Sequence, residues 1–197
     1  MFTITILAVV LSYTWYFQPR WPSSFVAVPV ILVLILGIWR ALVTGESGVK
    51  PCALTHGLRA TAIFTAAIVA VLVIAGAVGG TLHFRRDFLP DFLALIVWGG
   101  GQQWILQTVF LRESQRVTSR RAGVVLAAAL FASLHLPNPW LTALTFVGAL
   151  GWCAIYERYP NVVPLALSHA MATLMLLSAF DEAMTGRLRV GVAYFSR

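Results

Sequence analysis

The sequence has few charged residues. Asp, Glu, Lys and Arg make up 11% of its 197 residues, and only seven side chains are acidic. About 25% of the residues in a soluble globular domain are charged. This low charge, with 59% hydrophobic residues and a mean hydropathy of +0.84, excludes an ordinary soluble domain. We therefore expect an all-α, polytopic transmembrane helical bundle of about seven spans, forming a single membrane-embedded domain over residues 1–197.

Cysteine is also scarce, and the two cysteines, Cys52 and Cys153, are far apart in the sequence. They indicate neither a disulfide framework nor a metal-spaced pair. The fourteen Lys and Arg residues give a net charge of +7, but they fall mostly between apolar runs. There they face anionic lipid headgroups and influence topology. We expect the lipid bilayer as their partner, and no nucleic acid.

Apolar runs recur along the chain at lengths near the roughly 20 residues that cross a bilayer. The predicted spans are 2–17, 25–43, 58–82, 88–111, 122–136, 140–156 and 162–180. Arg40 lies near the end of the second run, so we expect its side chain to extend to the membrane surface. The predicted location is a membrane, as a multi-pass protein. A compact chain without appended domains indicates a bacterial inner membrane by analogy.

Three groups of polar residues interrupt these apolar runs. They are Gln102, Gln103 and Gln107 after the run Gly99-Gly100-Gly101, His135 and Asn138 on either side of Pro137, and His169 with Thr173. Polar side chains at membrane depth are costly unless they face a partner or water. We therefore expect the three groups to share one polar site inside the bundle. The glycines should allow a neighbouring helix to approach closely.

Each group also has a purely structural interpretation. Amides within spans bond neighbouring helices at about 0.6 kcal/mol each, and a single histidine commonly does the same. Two histidines together with amides instead favour a site that holds a water or an oxyanion. Zinc bound by His135 and His169 is the weaker alternative, because zinc sites usually have three or four protein ligands and no carboxylate or thiolate lies at the right depth. We expect no cofactor.

With these residues the chain resembles the intramembrane proteases of the CAAX-protease and bacteriocin-processing (CPBP) family, which includes the type II CAAX prenyl endopeptidases. That family has a Glu-Glu-x-x-x-Arg motif, then Phe-x-x-x-His, then His-x-x-x-Asn or a small residue in place of the asparagine. Phe131 and His135 match the second motif. His169 matches the third, with Thr173 where asparagine is common. The resemblance covers residues 88–180.

The first motif departs from the family pattern. Gln102 and Gln103 stand where the paired glutamates would be, and Gln107 stands where the arginine would be. The resemblance implies catalytic roles for Gln102, Gln103, His135 and His169, and substrate or oxyanion contacts for Gln107, Phe131, Asn138 and Thr173. A carboxamide cannot act as a general base, whereas a neutral imidazole can.

The resemblance implies an intramembrane endopeptidase that hydrolyses peptide bonds of a membrane-associated protein or peptide, lipidated substrates included. Because the glutamines cannot act as a base, we expect His135 or His169 to take that role. The alternative is a catalytically inactive relative that binds a membrane peptide or a partner protein, as an immunity factor or a chaperone. A small transporter or channel is a third class. It is less favoured, because the sequence has no repeat and no paired broken helices.

Overall fold

The structure is a computed structural model that describes residues 1–83 and 85–195. The helices are α1 Phe2–Ser12, α2 Ala27–Thr44, α3 Leu54–Val78, α4 Phe88–Ile105, α5 Arg112–Val117, α6 Arg120–Ser133, α7 Pro139–Arg158, α8 Val162–Ala179 and α9 Glu182–Thr185. Two π-helical turns, Tyr13–Phe17 and Leu106–Leu111, continue α1 and α4. The described residues form no strand beyond one isolated bridge between Val49 and Asn161. The all-α prediction is confirmed.

All seven predicted spans are helical over most of their length. Among the described residues, four helical stretches are long and apolar enough to cross a membrane, and one shorter apolar helix accompanies them. The four are Ser23–Thr44, Pro51–Val78, Pro139–Arg158 and Val162–Ala179, and the shorter helix is Phe2–Phe17. The chain is therefore a multi-pass helical membrane protein. The count of about seven spans and the bacterial inner membrane stay predictions.

Contacts group the chain into two compact units. The first unit is Met1–Ser47, Ile105–Cys153 and Leu188–Arg197, and the second is Gly48–Trp104 with Ala154–Arg187. Each unit is described by itself below. A single domain over 1–197 stays a prediction, and Phe84, Ser196 and Arg197 lie outside the described residues.

In the second unit, α3 and α8 are parallel neighbours. The Thr65 hydroxyl donates to the Ser168 hydroxyl at 2.7 Å. Eleven residues further along both helices, a methyl group on Gly76 would come within 2.5 Å of the Ala179 carbonyl oxygen. Because glycine has no side chain, the two backbones can approach this closely. This packing fixes α8, which carries His169, along most of its length.

In the first unit, Arg40 is buried rather than directed to the membrane surface. Its side chain is 1% exposed, and one Nη atom lies 3.6 Å from a Glu46 carboxylate oxygen. The same carboxylate accepts a hydrogen bond from Arg112 Nε at 2.7 Å. The predicted extension of Arg40 to the surface is wrong, because Glu46 provides a counter-charge within the unit. That carboxylate follows Gly45, which ends α2 in the left-handed conformation, with φ of +69°.

Candidate active site

Helix α8 approaches the α4 backbone closely at two glycines. A methyl group on Gly99 would lie 3.2 Å from Cδ2 of His169, and one on Gly100 would lie 3.6 Å from Cβ of Ala166. Nothing lies within 4 Å of the corresponding position on Gly101. The close helix approach predicted from the glycine run is thus confirmed for Gly99 and Gly100, but Gly101 does not take part in it.

Replacing Gly99 by alanine is expected to lower the unfolding temperature below that of Gly101→Ala. The added methyl group would press on the His169 ring, and overpacking of this kind costs about 1–3 kcal/mol. Both variants gain the same helix propensity, about 1 kcal/mol, so the difference between them reports the clash. Thermal unfolding of the purified proteins in detergent measures it. Equal unfolding temperatures would mean that His169 does not lie against Gly99.

Gln103 bonds His169 inside the second unit. Its Nε2 lies 3.1 Å from Nδ1 of the imidazole, with Gln103 fully buried and His169 9% exposed. An amide nitrogen donates, so Nδ1 accepts, and the neutral ring carries its proton on Nε2. His169 is thereby prepared to donate a hydrogen bond from Nε2, which is what stabilising an oxyanion requires.

His135 has the opposite tautomer. In the first unit its Nδ1 lies 3.0 Å from the Phe131 carbonyl oxygen, and the two rings meet edge to face with centroids 5.2 Å apart. A carbonyl oxygen only accepts, so Nδ1 carries the proton and Nε2 of the neutral ring has the lone pair. The four-residue spacing places His135 near that carbonyl as α6 ends. A lone pair on Nε2 is what a general base needs.

Gln107 lies within the π-helical turn Leu106–Leu111, where all six residues are buried. A π-helical turn shifts the register from that of an α-helix, and such turns are frequent at functional sites. Nothing in the sequence indicates where this turn begins. Gln102, by contrast, lies in the regular part of α4 and is half-buried.

Asn138 begins α7. Its Oδ1 accepts from the Leu141 N–H at 3.1 Å, and its Nδ2 donates to the Arg189 carbonyl at 3.3 Å. The residue is 1% exposed. Thr173 lies one turn after His169 on α8 and is half-buried. Roles for Asn138 and Thr173 in substrate or oxyanion binding stay predictions.

The structure joins two pairs of the predicted site residues, Gln103 with His169 in the second unit and Phe131 with His135 in the first. The remaining ones divide likewise: Gln102 and Thr173 belong to the second unit, Gln107 and Asn138 to the first. One site shared by all three groups stays a prediction. Sequence reasoning missed Thr65, which fixes Ser168 beside His169. The signal that could have found it is the spacing of four between Thr61 and Thr65 within apolar α3.

The described residues provide no cluster of side chains that could bind zinc. Across residues 1–83 and 85–195, no group of three or more His, Cys, Asp or Glu side chains could hold a metal ion. Zinc usually takes three or four protein ligands, so the described side chains give the alternative of zinc at His135 and His169 no support. That the protein needs no cofactor stays a prediction.

Residues 85–175 match the family model described as type II CAAX prenyl endopeptidase Rce1-like. The matched segment contains all three polar groups, from Gln102 to Thr173. The resemblance to the CPBP intramembrane proteases, which the motifs indicate, is thereby confirmed. No curated protein and no solved structure matches the chain.

Proposed function

Since residues 85–175 are Rce1-like and that family is one of CAAX-type intramembrane proteases, we propose that this protein is an intramembrane endopeptidase. It hydrolyses peptide bonds of a membrane-associated protein, and lipidated tails are among its substrates. One observation carries the proposal. The Phe131 carbonyl holds the proton of His135 on Nδ1, at 3.0 Å, and leaves the lone pair on Nε2.

His135 is the general base of the proposed reaction. Its Nε2 takes a proton from water as the water oxygen bonds to the scissile carbonyl carbon. The tetrahedral intermediate then collapses, the C–N bond breaks, and the imidazolium returns the proton to the leaving nitrogen. The products are a carboxylic acid and an amine. The bond from Nδ1 to Phe131 persists throughout and fixes the orientation of the ring. This chemistry needs no carboxylate, which agrees with amides at positions 102 and 103.

The amide of Gln103 supports a different role for His169. A glutamate at position 103 would accept a hydrogen bond from Nδ1–H and leave Nε2 unprotonated, whereas the glutamine donates to Nδ1. With glutamine, His169 is a hydrogen-bond donor rather than a base. Of the two histidines, the proposal therefore assigns the base to His135.

A catalytically inactive relative is the second candidate, and one observation favours it. The buried pair of Gln103 and His169 contains no ionisable acid at a position where the family has glutamate. Such a protein would hold a membrane peptide or a partner protein without cutting it.

A panel of membrane-anchored peptides tests the proposal. Each peptide is made in a prenylated and an unprenylated form, mixed with the purified protein in liposomes, and analysed by mass spectrometry. We expect a single new cut in at least one peptide, and the comparison of the two forms reports whether the lipid is recognised. Intact peptides that remain bound to the protein would contradict hydrolysis and support the inactive relative.

A further inference from the structure

The segment from Arg189 to Gly191 is bonded to the connection between α6 and α7, within the first unit. The Gly191 N–H donates to the Leu136 carbonyl at 2.8 Å. The Asn138 side chain donates from Nδ2 to the Arg189 carbonyl at 3.3 Å. Leu136 directly follows His135 in the sequence, so this segment is held one residue away from the proposed base.

The two bonds have the spacing of an extended peptide. Val190, between the bonded groups, has φ of −130° and ψ of 166°. In an extended chain, the carbonyl before a residue and the N–H after it point to the same side. Leu136 and Asn138 supply the acceptor and the donor that match this edge. Both bonds involve only the backbone of the segment, so they would fit many peptide sequences.

We propose that the Leu136 carbonyl and the Asn138 amide form a binding site for one residue of an extended peptide, which the protein's own residues 189–191 occupy until a substrate peptide displaces them. That the natural ligand is a substrate rests on the proposed endopeptidase function. The site requires an N–H on the residue after the bound one, so a peptide with proline there does not bind.

Gly191 offers a way to remove the occupant. Its φ is +59°, and a methyl group on it would overlap the carbonyl oxygen of Thr14. Gly45 is a matched control in the same unit, because its φ is +69° and nothing lies within 4 Å of the corresponding position. Alanine at either position has the same unfavourable backbone conformation, at about 1–2 kcal/mol. Only Gly191→Ala also displaces the segment.

The binding experiment uses a fluorescent peptide with the sequence of residues 187–195 and the purified full-length protein. In the wild type the tethered segment competes at a millimolar effective concentration. We therefore expect Gly191→Ala to bind the peptide at least about tenfold more tightly than the wild type and Gly45→Ala. A variant without residues 189–197 provides a second route, since it removes the occupant without adding a clash.

Two methylated peptides test the geometry without changing the protein. A methyl group on the nitrogen that corresponds to Gly191 removes the N–H donated to Leu136. A methyl group on the nitrogen that corresponds to Val190 removes an N–H on the opposite edge. We expect only the first methyl group to abolish binding.

Two results would contradict the proposed site. The first is the same peptide affinity for the wild type and both variants that lack the occupant. The second is the same loss of affinity from either methyl group. Because the readout is binding, it is separate from hydrolysis. Tight binding to Gly191→Ala with no cleavage of any peptide overturns the endopeptidase and leaves the site in place. Cleavage by the wild type, with weak binding throughout, overturns only the site.

Discussion

Replacing His135 by asparagine is expected to lower the rate of peptide cleavage by at least about 100-fold while the protein remains folded. The asparagine amide places a donor close to where Nδ1 lies, so the bond to the Phe131 carbonyl is kept, but nothing replaces Nε2. Loss of a general base lowers the rate by about 10²–10⁴-fold. The measurement is kcat/KM on a peptide that the wild type cuts, together with the unfolding temperature of the variant.

His83 provides a matched control. Its Nδ1 lies 3.0 Å from the Thr81 carbonyl oxygen, the same kind of bond, but on an exposed connection. We expect His83→Asn to cleave at the wild-type rate. If His135→Asn also cleaves at that rate, His135 is not the base. If the variant loses activity because it no longer folds, which a large drop in its unfolding temperature would show, the role of His135 is structural.

Replacing Glu46 by glutamine is expected to lower the free energy of unfolding by about 3 kcal/mol, the lower end of the usual cost of removing one partner of a buried ion pair, because Arg40 is buried but Glu46 is 24% exposed. Arg40 is 1% exposed, and none of its three side-chain nitrogens has a hydrogen-bond partner among the described residues. The negative charge beside the guanidinium is the Glu46 carboxylate, which lies 3.6 Å away. Without that charge, Arg40 loses the carboxylate beside it, and the amide oxygen that replaces the carboxylate gives Arg112 Nε only an uncharged acceptor.

Two further variants separate this cause from a general effect of losing a carboxylate. Glu182 pairs with Arg187 at 2.6 Å, but both side chains are more than 60% exposed. We expect Glu182→Gln to change stability by less than about 1 kcal/mol. Adding Arg40→Met to Glu46→Gln should restore stability, because it removes the uncompensated charge. Unfolding in detergent measures the stability of Glu46→Gln, Glu182→Gln and the double variant. A double variant that is no more stable than Glu46→Gln would contradict the explanation.

The helices were predictable because a span needs only a long apolar run, and the runs at 88–111 and 162–180 lie within about a residue of the observed helical stretches. The π-helical turn Leu106–Leu111 was not predictable, since it changes hydrogen bonding without changing hydropathy. The prediction that the Arg40 side chain extends to the membrane surface was wrong. Its counter-charge Glu46 is six residues away in a loop, and only the fold brings them together.

The candidate site was predictable where the spacing is local. Phe131 and His135 are four residues apart, and the bond between them is within one turn. Gln103 and His169, by contrast, are 66 residues apart in the sequence. Both were predicted site residues, but the sequence could not show that they form a hydrogen bond. The docking of Gly191 on Leu136 had no sequence signal, because both bonded groups belong to the backbone.

The most direct test of a histidine-based peptidase is cleavage of the peptide panel in water enriched in ¹⁸O, comparing the wild type with Gln102→Glu. The wild type is predicted to cut a peptide and to place one ¹⁸O atom in the new carboxyl group, since the attacking water supplies that oxygen. The contradicting result is an uncut panel for the wild type alongside cleavage by Gln102→Glu. The natural chain would then be an inactive relative in which a glutamate at position 102 is enough to restore cleavage.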